Sequence, residues 1–181
     1  MTGDRVQIVR GADLLPSAWA NGQGRTRQIH RTSHWRLSLA TIEAAGPFSV
    51  LPGVHRYLLL ASDTRLDLSI DGTKTRLRFA QAVEFDGEDA VQVVGISGTT
   101  TALNLMTYRG FRGRLTVHHT ERSSAVSNRE AVAVTVLAGR VLVEDLVLSP
   151  HDTLLPGPDA LELMAEQAVL AYANSWPTTS R

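Results

Sequence analysis

Alternation with a period of two restricts the fold of this chain more than any other feature. In WRLSLATI, residues 35 to 42, Trp35, Leu37 and Leu39 fall on one face and Arg36, Ser38 and Ala40 on the other, because successive side chains of a strand point to opposite sides. RLDLSI (65 to 70) alternates in the same way, Asp71-Gly72 supplies a turn, and TRLRF (75 to 79) returns, which reads as a hairpin. Further strands are expected at 91 to 96, 101 to 106, 114 to 119, 131 to 137, 141 to 148, 161 to 166 and 168 to 173. GADLLPSAW (11 to 19) has room for one helical turn, limited by Pro16. LELMAEQAVLAYA is rich in helix formers, yet Glu166-Gln167 equally suits a hairpin turn. Many short strands at regular spacing predict an all-β sandwich or barrel.

A weak internal repeat sharpens the expectation. YLLLASDTRLDLSI (57 to 70) resembles AVTVLAGRVLVEDLVL (133 to 148): an apolar strand, a short turn, an arginine, then an alternating strand. FAQAVEFDG (79 to 87) is answered by LSPHDTLLPG (148 to 157), and each half closes with a strand pair, 91 to 96 with 101 to 107 and 161 to 166 with 168 to 174. Duplication of one β-unit accounts for this. The rhythm is that of a cupin, two packed antiparallel sheets with an open mouth, so two units in one chain make a bicupin; an unduplicated β-sandwich is the alternative. The boundary is placed so that residues 1–110 form the first unit, with the pocket, and 111–181 a second, structural or dimer-forming unit. TERSSAVSNRE (120 to 130) is polar and non-periodic and reads as a loop.

Composition narrows the partners. The 181 residues, 43% hydrophobic, suffice for a sizeable core, and 18 basic residues balance 18 acidic ones. A neutral chain has no global attraction to nucleic acid or to an anionic membrane, and Arg109, Arg112 and Arg114 read as a solvated turn. With no cysteine, disulfides and thiolate-bound zinc are excluded. The opening residues lack the apolar stretch of a signal peptide, and the longest uncharged apolar run falls far short of the ~20 residues of a membrane helix. A soluble, cytoplasmic protein is expected.

Several motifs invite chemistry. NGQGRT (21 to 26) lacks the lysine of a phosphate-binding P-loop, GQGRTR lacks the third glycine of a dinucleotide fingerprint, and strand rather than helix pattern follows. It reads as a glycine turn feeding a strand. The six histidines, His30, His34, His55, His118, His119 and His151, include no H-x-H pair. His118 and His119 are adjacent and point to opposite faces of a strand, which leaves only a metal site assembled from distant segments. Serines are plentiful but no G-x-S-x-G elbow occurs; Ser38 and Ser49 read as pocket hydrogen-bonders or strand fillers. Glu84/Asp86 and Glu144/Asp145 read as solvated. The polar strand faces are more informative: Arg36, Ser38 and Ala40 share one, Ala102, Asn104 and Met106 another, Arg56, Leu58 and Leu60 a third. If these look inward, the interior holds two guanidinium groups, suited to a carboxylate; otherwise the arginines pair with internal acids or face solvent.

These residues resemble the HutD/Ves family of small bicupins. WANGQGRTRQI from Trp19, WRLSLATI from Trp35, GPFSVLPGVHR from Gly46 to Arg56, FDG at 85 to 87 and LNLM at 103 to 106 are similar to five of its blocks in order. Two departures stand out: Gln23 interrupts a glycine run, and Ala102 replaces an aspartate. The resemblance implies a bicupin without the usual cupin metal ligands. HutD members are associated with restraining histidine utilisation and Ves members with cold and stress responses. It implies a non-catalytic, regulatory protein that needs no cofactor. Its ligand would be a small carboxylate of the histidine-degradation class, held by Asn21, Thr26, Arg36, Ser38, Ser49, Arg56 and Asn104. Exposed strand edges allow a homodimer. The competing expectation is a metal-dependent cupin enzyme, a dioxygenase or isomerase.

Overall fold

The computed structural model describes residues 6 to 178. Among these, β1 (Gln7–Val9) is followed by one short 3-10 turn, Gly11–Asp13, and then β2 (Pro16–Ala18), β3 (Gly24–Arg31), β4 (Trp35–Ile42), β5 (Gly46–Pro47) and β6 (Val54–Leu60). Next come β7 (Leu66–Ile70), β8 (Thr73–Leu77), β9 (Ala82–Asp86), β10 (Val91–Ile96) and β11 (Thr100–Tyr108). The remainder is β12 (Phe111–Thr120), β13 (Ser124–Val126), β14 (Ala133–Val143), β15 (Leu146–Leu148), β16 (Thr153–Leu155) and β17 (Leu161–Pro177). The fold is all-β, as alternation required. Among the described residues no helix is long and apolar enough to cross a membrane.

The chain divides into two compact units. One comprises Leu15–Gly113 with the described residues from Trp176 onward; the other joins the described residues up to Leu14 to Arg114–Ser175.

In the Leu15–Gly113 unit, a six-stranded sheet in the order β2-β3-β4-β11-β6-β9 accompanies a four-stranded sheet in the order β5-β10-β7-β8. Every pairing is antiparallel. Their inward faces form one apolar cluster, with Ile42, Leu58, Leu60, Phe85 and Ala102 from the larger sheet and Leu66, Leu68, Leu77, Val91 and Val93 from the smaller. Neither sheet closes on itself among the described residues, so the unit is an open sandwich rather than a sealed barrel. The Asp71-Gly72 hairpin forms as expected, joining β7 to β8 with both residues at positive φ.

The Arg114–Ser175 unit is a seven-stranded sheet, β1-β16-β14-β17-β12, with β13 beside β17 and β15 beside β14. Its interior cluster is filled by apolar side chains, among them Val126, Val134, Val136, Val141, Leu148, Leu154, Leu163 and Leu170, closed by Tyr172. Asp152 ties β1 to this unit by accepting from Gly11 N–H (2.9 Å) and from Arg10 (2.8 Å).

Three local expectations are corrected. Residues 131–137 and 141–148 are not two strands: β14 runs unbroken from Ala133 to Val143, and the turn comes later, at Glu144-Asp145, where Glu144 takes φ 53° and Val143 pairs with Leu146. Residues 161–166 and 168–174 are likewise one strand, β17. The glycine at 139 and the Glu166-Gln167 dipeptide look like turns because both sites demand left-handed backbone: Gly139 has φ 79° and Gln167 φ 52°. They are apposed bulges, with register shifts around Ala138 where β14 meets β17. In the first half the matching segments do break, at 61 to 65 and 97 to 99, and send the chain to a second sheet. Finally, TERSSAVSNRE is not all loop. Ser124–Val126 pairs with β17 and buries Val126, and Glu130 then accepts from the Ser127 N–H and hydroxyl.

The bulge yields a stability test. A Cβ on Gly139 would lie 2.7 Å from the Gln167 carbonyl oxygen. Gly139→Ala therefore adds both a clash and left-handed strain, and we expect urea denaturation to show a loss of about 2 kcal/mol.

Candidate functional site

Strand alternation builds the site from the middle of the six-stranded sheet. Arg36 on β4 and Arg56 on β6 both pair across from Met106 on the intervening β11. One step along, Ser38 and Leu58 flank Asn104, and the next row is Ala40, Ala102 and Leu60. These rows share one face. It is apolar toward Ala102 and Leu60, where the two sheets pack, and polar toward Met106, where they part.

The parting leaves a cavity of about 290 Å³. Its walls include Trp19, Asn21, Thr26, Arg36, Phe48 and Arg56, with Ser49, Asn104 and Met106. Six of the seven residues singled out from sequence thus border one space: Asn21, Thr26, Arg36, Ser49, Arg56 and Asn104. Ser38 does not line it; it lies fully buried beside Asn104.

The arginines define the electrostatics. Arg56 is 6% exposed and makes no ion pair with any described residue. Its guanidinium carbon lies 5.0 Å from the Phe48 ring centre and 4.9 Å from that of Phe85, and the rings' negative faces offset part of the lost hydration. Among the described residues Arg36 donates only to the Met106 sulfur, at 3.3 Å. Burial, and secondarily the charge of Arg36, push the Arg56 guanidinium down to about 10. Four polar atoms of this face are buried without a hydrogen-bond partner among the described residues: Nε of Arg36, Nε of Arg56, Oδ1 of Asn104 and Oγ of Ser38. Buried polar atoms are ordinarily paired, so this cluster is a set of unanswered donors and acceptors around two cations.

Other side chains hold the mouth in shape. Trp19 Nε1–H donates to Thr26 Oγ1 (2.8 Å), which fixes the indole and leaves the threonine proton to donate. The Asn21 amide is engaged within the loop: its nitrogen donates to Gln23 Oε1 (2.8 Å) and the Pro47 carbonyl (3.2 Å), and its oxygen accepts from Gln23 N–H (3.1 Å). Gln23, the interruption in the glycine run, is thus a brace, and its amide covers Gly46, where a Cβ would sit 2.0 Å away. Gly24 is needed for space, since a Cβ would meet the Thr41 carbonyl oxygen at 2.4 Å. Ala102 belongs to the apolar cluster. An acid there would be four residues, about 13 Å along the strand, from the Met106 row, so the arginines keep no internal counterion from that position.

The sequence placed Met106 on the face of Asn104 but did not mark it, Phe48 or Phe85 as site residues. Phe85 pairs directly across from Arg56 in the β6–β9 ladder, so the β6–β9 register was the signal that would have found it.

The cupin architecture commonly serves a metal, but this donor set does not fit one. The interior offers guanidinium N–H donors, an amide, a hydroxyl and a thioether, and two cations would repel a divalent ion. No group of three histidine, aspartate or glutamate side chains with metal-holding placement occurs among the described residues.

Comparison with known proteins gives a consistent result. The HutD family model matches residues 11–174. Protein Ves of Citrobacter koseri is 30% identical over 170 residues, 86% of each chain. A 21.2 kDa protein from the hutC 3′ region of Pseudomonas putida is 33% identical over 110 residues, 56% of this chain and 58% of that protein, so the chain spans little over half of that relative. Among solved structures, HutD from Pseudomonas fluorescens, obtained in a formate condition, superposes with a TM-score of 0.78 at 25% identity, covering 96% of this chain and 99% of that one. A cupin 2 conserved barrel protein from Leptotrichia buccalis shares the fold, with a TM-score of 0.62 at 12% identity over 98% and 99% of the two chains.

The unpaired cation has a measurable cost. Because Arg56 titrates lower in the folded chain than unfolded, its burial penalty is complete below about pH 10 and relaxes only above it. Arg56→Met at pH 7, in buffer free of carboxylates, should therefore be more stable than the parent by about 1–3 kcal/mol in urea denaturation.

Proposed function

The chain belongs to the HutD family, and we propose that its cavity binds a small carboxylate without transforming it. The observation that carries this reading is the pair of guanidinium groups flanking Met106, Arg56 buried and Arg36 half-buried, whose Nε–H donors are both buried and unpaired among the described residues. A carboxylate accepts from both forks at once and supplies the missing counter-charge in a site of low dielectric. Thr26 donates a further hydrogen bond, and Asn104 Oδ1 accepts from an N–H or O–H elsewhere on the guest. Phe48 and Phe85 keep the Arg56 plane fixed, so little freedom is lost on binding.

The role is that of a sensor. Guanidinium, amide and hydroxyl groups bind and orient charge, but none of them in this cavity is a proton-transfer group near neutral pH. The setting we infer is histidine utilisation. The likeness to Pseudomonas fluorescens HutD and to the Pseudomonas putida protein of the hutC 3′ region supports that setting.

Isothermal titration should report one site for a carboxylate such as formate, urocanate or N-formylglutamate, with Kd between micromolar and millimolar. Arg36→Ala and Arg56→Ala should each weaken it by at least about tenfold. Absence of heat with every acid of that panel would overturn the reading.

A further inference from the structure

The sheet that carries the cup has a second hollow on its other face. Alternation makes the arrangement systematic: Arg56, Phe85 and Met106 face the cup, while their chain neighbours His55, Asp86 and Thr107 line a depression of about 320 Å³. That volume is at the small end of ligand cavities. Its floor is polar. Thr107 is 1% exposed, and its hydroxyl is buried with no hydrogen-bond partner among the described residues. His55 lies directly across the β6–β11 ladder from Thr107. Burial first, and the charge of Arg112 second, push its imidazole below the usual histidine range. At neutral pH the ring is therefore uncharged and presents one donor and one acceptor nitrogen.

The rim carries both signs of charge. Arg109 has no ion-pair partner among the described residues. Glu88 accepts from Gly53 N–H through one carboxylate oxygen, at 3.2 Å, which leaves the other available. Asp86 and Arg112 pair with each other at 3.3 Å and so cancel locally. A free cation, a half-engaged carboxylate and an unsatisfied hydroxyl around one small hollow match a guest that itself carries both charges and a hydrogen-bonding group.

We propose that this depression is a second binding site, for a small zwitterion of the α-amino acid class. The guest's carboxylate lies on Arg109, its ammonium on Glu88, and its polar side chain against the Thr107 hydroxyl and the His55 ring. The inference is independent of the carboxylate reading of the cup, because none of these residues lines it.

The test is a titration of the full ¹⁵N-labelled chain with glycine, L-serine and L-glutamine, with propionate and ethanolamine as single-charge controls. At least one amino acid should give saturable shifts at the amides of Gly53, Thr107 and Gly110. At the Gly53 and Gly110 amides each control should bind about tenfold more weakly or worse. Thr107→Val and Arg109→Gln should each lower the amino-acid affinity about tenfold. Thr107→Val should remain folded, since it removes a buried hydroxyl that has no partner. No saturable shift with any of the three, shifts unchanged in both variants, shifts confined to the cup residues, or propionate titrating the Gly53 and Gly110 amides as tightly as the best amino acid would each overturn the proposal.

Discussion

Two like charges in one β-sandwich, Arg56 buried and Arg36 half-buried, with no acid among the described residues paired to either, set the terms for the rest of the Leu15–Gly113 unit. A buried cation is costly unless something compensates it. Here the compensation is partial: ring faces of Phe48 and Phe85 for Arg56, and a thioether for Arg36. The surrounding architecture then has to keep the arginines from escaping to water. Arg56 sits on β6 between β11 and β9, where its main chain is committed on both sides. Behind the sheet's polar rows lie Leu37, Leu39, Leu59, Leu103 and Leu105, which are almost wholly buried and fix which way each strand faces.

The two units show what such a constraint does to a shared plan. Both run an apolar strand past an arginine toward a hairpin and return through a short strand, after which the first half closes with two strands, β10 and β11, and the second with one, β17. In the Arg114–Ser175 unit the long strands β14 and β17 continue through bulges, and the interior fills with valine, leucine and alanine. In the Leu15–Gly113 unit the same strands break and the pieces form a second sheet, which leaves room at one end. The difference between a filled core and an open cup thus lies in whether the chain bends by one extra residue or by several.

Much of this was legible in the sequence, and the failures have definite causes. Strands at 35–42 and 91–96 appear at those limits, because alternation bounded by turn residues encodes both the element and its ends. The faces bearing Arg36, Ser38, Asn104 and Arg56 followed from the same rule. The bulges did not, because a residue at positive φ leaves the same trace in sequence whether the chain reverses or merely kinks. The engagement of Asn21 and the exclusion of Ser38 from the cavity were hidden for another reason: each depends on which neighbour a side chain meets across strands, which is a matter of register.

Register also governs how the chain can vary. His55 and Arg56, Asp86 and Phe85, and Thr107 and Met106 are neighbours that serve opposite sides of one sheet. Gain or loss of a single residue within β6, β9 or β11 would exchange the two sets, turning the cup inside out and emptying the hollow behind it in one step. Length change is therefore confined to the connections between strands, and within the strands both faces can be altered only by substitution.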